Sequence, residues 1–186
     1  MCQKICQYGF VDHPISEFAM EAHRYCLLIE DGSFPNWWEF AQACLTQLMR
    51  LNQAALLLPE VESKGVKLLE RIEHERWNAI RESIAARLAQ DYYWEIFNPL
   101  EREEPRPLLG SLSDDLAGIW HDLSCGLAVT GSEKTSLARD IVWHWRFSFE
   151  THWEKHAVDA IGALHALSFG NLADGSGPSS IAWASG

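Results

Sequence analysis

His152, His156 and Asp159 follow one another at steps of four and three. In a helix those steps place all three side chains on one face. Two imidazoles one turn apart can share a transition metal, and a carboxylate on the next turn can join them. Asp115 and Asp122, seven residues apart on an earlier helical segment, offer acids for a facing wall. Helix bundles do build metal sites from carboxylates and imidazoles on facing helices. The pattern departs from the established motifs, however. There is no paired Glu-x-x-His, and the residues between the two histidines are Trp153, Glu154 and Lys155 rather than an H-E-x-x-H arrangement. Histidine pairs on amphipathic helices also serve plain packing and hydrogen bonding. No cofactor is therefore predicted, and a transition metal at His152, His156, Asp159, Asp115 and Asp122 is the alternative.

A second group reads as a structural polar network. Asp114 and Asp115 fall in the first turn of a helix, where acids interact favourably with the dipole. Asp114 as a cap and Asp115 as a partner for Arg146 account for both. Arg146 and Glu150 are one turn apart and can bridge. Nucleophilic chemistry finds little support, because Cys125 precedes Gly126 within a helix with no activating signature beside it. G-x-S-x-G, a phosphate-cradling glycine loop and a dinucleotide fingerprint are all missing. No catalytic residue and no reaction can be assigned.

The elements that must position these groups are helices. Ile15, Phe18, Ala22, Cys26 and Ile29 recur at steps of three and four, with Pro14 suited to a first turn and Gly32 to a left-handed cap. A second helix runs from Ser33-Phe34-Pro35 to Leu58 on the stripe Trp37, Ala41, Cys44, Leu48, Leu51, Ala55, Leu58. A third spans about Val66 to Gln90, its apolar face (Leu69, Ile72, Ile80, Ile84, Leu88) diluted by charge and so placed on the outside. Asp91 to Pro99 is rich in aromatic residues, and Pro99, Pro105 and Pro107 forbid a continuous helix up to Gly110. This segment reads as an ordered aromatic and proline loop. Ser111, three residues before Asp114, opens the fourth helix in the manner of a capping box; Leu112, Leu116, Ile119, Leu123 and Leu127 form its stripe. The last helix covers about Ser136 to Leu167 and carries Trp143, Trp145 and Trp153. The expected fold is all-α, an antiparallel bundle of about five helices. Residues 1–168 form one helical domain, and 169–186 form a Gly/Ser-rich tail.

Composition sets the partners. The chain has 26 acidic and 15 basic residues, a formal charge of −11, so it lacks the basic patch that nucleic acid or an anionic membrane requires. Nine tryptophans in 186 residues belong mainly at helix seams. Five cysteines without a C-x-x-C pair suggest buried free thiols in a reducing compartment. The first ten residues lack a signal peptide's apolar stretch, which points to the cytoplasm.

Tyr93-Trp94-Glu95-Ile96-Phe97-Asn98-Pro99, Ser113-Asp114-Asp115-Leu116-Ala117 and Trp143-His144-Trp145-Arg146-Phe147-Ser148-Phe149 occur in that order. Together they resemble an uncharacterised bacterial family, domain of unknown function 5063, best over residues 91–165. The resemblance implies a cytoplasmic bacterial helical domain and carries over no activity, cofactor or partner. It also implies that histidines at 152 and 156 are not carried by every member.

Two functional readings follow. One is a protein-interaction domain, an adaptor or self-associating, with Tyr92, Tyr93, Trp94 and Trp183 as anchors, since Trp and Tyr dominate interface energetics. The other is a metal or small-ligand site between the last two helices.

Overall fold

The computed structural model describes residues 13–65, 73–96, 100, 107–129 and 135–170. It consists of α1 (His13–Asp31), α2 (Trp37–Leu56), α3 (His74–Arg87), a hairpin of β1 (Tyr92–Ile96) and β2 (Pro107–Ser111), α4 (Leu112–Val129), α5 (Thr135–Ser148) and α6 (Glu154–Phe169). A π-helical turn, Phe149–Trp153, joins α5 to α6. These three pieces form the last of five helices, so the fold is all-α apart from one small ribbon.

The stripes read from the sequence are the buried faces. Phe18, Ala22 and Ile29 of α1, Ala41, Cys44, Leu48 and Leu51 of α2, and Leu116, Ile119 and Leu123 of α4 are sealed from solvent. Helix α4 is central, packing against α1, α3, α5 and α6. Trp120, Trp145 and Trp153 fill the interior with no exposed surface. Burying each apolar side chain is worth about 1.5–3 kcal/mol, so these stripes dominate the stability. Helix α3 buries only Ile84 and lies on the outside.

Helix ends are closed by distant side chains. Arg87 donates from Nη2 to the Ile29 carbonyl at 2.7 Å and from Nη1 to that of Gly32 at 3.3 Å, supplying the cation that the last turn of α1 lacks. Arg146 Nη1 donates to the Leu58 carbonyl beyond α2 at 2.5 Å. Such carbonyls have no partner within their own helix.

Several boundaries differ from expectation. Helix α2 begins after Asn36, whose side chain accepts from the Glu39 N–H at 3.0 Å, so Ser33–Pro35 lie outside it. Gly32 is not in the left-handed region, where Gly65 is the one glycine found among the described residues. Its role is spatial, because a Cβ there would stand 2.3 Å from the Leu28 carbonyl oxygen. Helix α3 stops at Arg87 as Leu88 turns extended; the expected start near Val66 lies outside the described residues. The aromatic segment is a ribbon rather than a loop, with Tyr93 opposite Gly110 and Trp94 opposite Leu109.

The π turn has a readable cause. Trp145, Phe149, Trp153 and Ala157 are all buried, at three successive steps of four. In an α-helix each such step overshoots a full turn by about 40°. The wider π turn absorbs that drift and keeps Ala157, Ala160 and Leu164 of α6 facing the core.

Candidate functional site

Asp91 binds the ribbon to α4. Its carboxylate accepts from the Ser113 N–H at 2.7 Å and from the Ser113 and Ser111 hydroxyls at 2.9 and 3.1 Å. Its carbonyl accepts from the Leu112 N–H at 2.8 Å. Ser111 Oγ accepts from the Asp114 N–H at 3.3 Å. The cap of α4 is therefore made by Asp91 and Ser111, and Asp114 is capped rather than capping.

That docking fixes the face that Tyr93 presents. Tyr93 donates its hydroxyl proton to Asp115 Oδ2 at 2.6 Å, and His156 Nδ1–H donates to Oδ1 at 2.7 Å. Asp115 is only 5% exposed, so its carboxylate is nearly dry and held by both neighbours. Burial and the Asp115 carboxylate together push the Tyr93 phenol well above its ordinary range. The hydrogen bond to Asp115 raises His156, and partial burial opposes it.

One turn before His156, His152 Nδ1–H donates to Asp122 Oδ2 at 2.8 Å, and His121 Nδ1 lies 3.4 Å from Oδ1. Burial alone would raise Asp122, but the two imidazoles overcome it and hold the carboxyl low. The His152 and His156 rings lie 5.0 Å apart, centre to centre.

Two clefts open from this wall. One, of about 600 Å³, is lined by Glu73, His74, Trp77, Asp114, Gly118, His121, His152 and His156. The other, of about 1060 Å³, runs between the ribbon and α6, past Trp94, Leu109, Lys155, Val158 and Ala166. In it Lys155 pairs with Asp159 and lies 3.7 Å from Glu95. Burial works against the lysine's charge, yet these carboxylates raise its pKa.

The predicted ligand set is thus divided. His152 and His156 line one cleft, with Asp122 and Asp115 behind them as acceptors. Asp159 belongs to the other cleft and pairs with Lys155. Among the described residues no three His, Cys, Asp or Glu side chains are placed to hold a metal ion. Asp115 does not meet Arg146, which instead pairs through Nε with Glu150 at 2.9 Å. Asp115 is instead taken by Tyr93 and His156, from elements that no local pattern brings together.

The sequence reading missed His121, Glu95, Lys155 and Asp91. The adjacency of His121 and Asp122 was a faint signal. Of the interaction candidates, Tyr92 and Trp94 face solvent while Tyr93 turns inward; Trp183 lies outside the described residues.

Residues 11–170 match the family described as "Domain of unknown function (DUF5063)". The chain belongs to this family. The crystal structure of protein BF1032 from Bacteroides fragilis is similar over 86% of this chain and 98% of that one, with a TM-score of 0.73 and 24% identity. That likeness shows a shared fold. No curated protein matches the chain. No helix among the described residues is long and apolar enough to cross a membrane.

Proposed function

We propose that the domain binds a partner protein through the outer face of the β1–β2 ribbon. The observation that carries this reading is an exposed apolar surface on an ordered element. Trp94 is 72% exposed, and its cross-strand neighbour Leu109 is 62% exposed. Tyr92 and Ile96 flank Trp94 on the same face of the strand and are also exposed. Ordered surfaces of this kind mark interaction sites in water-exposed proteins. Each strand also has a free edge among the described residues, suited to strand addition by an extended segment.

Charge favours a basic partner over a second copy. The chain carries −11, and among the described residues Glu95, Glu154 and Asp159 border the groove against one lysine, Lys155. An extended segment with one or two apolar anchors and flanking Lys or Arg complements this surface.

Selection from a displayed random-peptide library tests the reading. Enrichment of basic peptides with aromatic or aliphatic anchors is expected, with binding lost in Trp94→Ser/Leu109→Ser. No enrichment, or binding that survives the double substitution, overturns it. A wild-type dimer that dissociates on the same substitution replaces the foreign partner with self-association.

A further inference from the structure

We infer that His152 and His156 form a two-imidazole site for a borderline-soft divalent transition metal, in the cleft between α3, α4 and the start of α6. It involves neither the ribbon's outer face nor a partner protein.

The first argument is ligand orientation. Imidazoles that bind metals usually donate their other N–H to a carboxylate, which fixes the tautomer and the ring. Both rings have that backing here, His156 from Asp115 at 2.7 Å and His152 from Asp122 at 2.8 Å. With Nδ1–H committed, each Nε2 keeps its lone pair.

The second argument is spacing. An ion about 2.1 Å from each imidazole nitrogen, in tetrahedral geometry, holds the two ring centres roughly 5 Å apart. The observed separation is 5.0 Å, with the planes at 69°. Edge-to-face rings also pack at this distance, so the fit to an ion lies in the spacing taken together with the two carboxylate anchors.

The third argument selects the ligand class. Among the described residues no Lys or Arg lines this cleft, whereas Glu73 and Asp114 do, so an anion would meet repulsion. Calcium and magnesium prefer oxygen ligands, but the nearest buried carboxylates stand behind the rings. Imidazole donors favour zinc, nickel, cobalt and copper. Two imidazoles leave coordination positions for water. His121 lines the same cleft and shares the Asp122 anchor.

The test is titration of untagged, chelator-treated protein with cobalt(II) alone, followed by displacement with zinc. One ion per chain is expected, with visible bands of low-symmetry cobalt and their loss on adding zinc. His152→Ala/His156→Ala should abolish binding. Asp115→Asn should weaken it about 10–100-fold through the lost anchor. His165→Ala, on an exposed position of α6, and Trp94→Ser should leave it unchanged. Stoichiometric binding that persists in the double variant, or no cobalt uptake by the wild type, overturns the inference. Thermal melts report whether the double variant is folded. If it is not, Asp122→Asn and Asp115→Asn decide, and unchanged cobalt affinity in both is the adverse result.

Discussion

The Tyr93 ring lies across Gly110, its partner on the neighbouring strand: a Cβ at residue 110 would stand 2.6 Å from the ring and 2.9 Å from its hydroxyl oxygen. The glycine leaves the space through which the phenol reaches Asp115. Gly110→Ala should therefore displace Tyr93 and cost about 1–3 kcal/mol in urea denaturation. In a Tyr93→Ala background the same change should be close to neutral. Equal costs in both backgrounds would separate the glycine from the tyrosine.

Gly126 bears a similar relation to the core. A Cβ there would meet Trp145 Nε1 at 2.1 Å. Alanine favours a helix over glycine by about 1 kcal/mol, yet the buried indole cannot yield at low cost. Gly126→Ala is expected to lower stability by about 1–3 kcal/mol net. Unchanged or increased stability would show that Trp145 has room to move.

The tryptophans should divide by position. Trp153→Ala empties a fully buried site and should cost about 3–5 kcal/mol. Trp94→Ser removes a side chain that mostly contacts solvent, along with one cross-strand pairing, and should cost less than about 1 kcal/mol. Chemical denaturation of the two variants checks this. A large loss from Trp94→Ser would make the ribbon's outer face a stability element.

Cys26 and Cys44 are buried free thiols, and burial pushes both up to about 12. An unfolded thiol titrates near ~8.5. Their contribution is complete below that value and is lost as pH rises toward 12, because the unfolded chain ionises first. Melting temperature should fall progressively above about pH 8.5, and Cys26→Ala/Cys44→Ala should flatten that fall. An alkaline slope identical in the variant would place its origin elsewhere.

The helical frame was legible because each stripe combines steps of three and four with a polar opposite face. The ribbon was not. A half-buried strand announces itself by alternation, and Tyr92-Tyr93-Trp94-Glu95-Ile96 has aromatic groups on both faces. Its inward and outward positions become distinct only once Tyr93 is seen reaching Asp115. The wall of the cleft was partly legible. His152 and His156 share a face as their spacing requires, but spacing could not show that Asp115 and Asp122 act as hydrogen-bond acceptors behind the rings. Nor could it show that Asp159 is taken by Lys155. Those outcomes depend on which side chain arrives from another element, and local sequence carries no record of that.

The π turn at Phe149–Trp153 makes the last helix behave like a vernier. Upstream, Trp145 sets the inward direction for α5; downstream, Ala157, Ala160 and Leu164 set it for α6. The two scales agree only with the widened turn between them. Winding the same residues as regular α-helix would over-rotate everything beyond them. His156 would swing away from Asp115 and a polar face would turn toward the core. The widened winding at this point is thus tied to the cleft, and a variant that tightens the turn without shortening the chain would dismantle it.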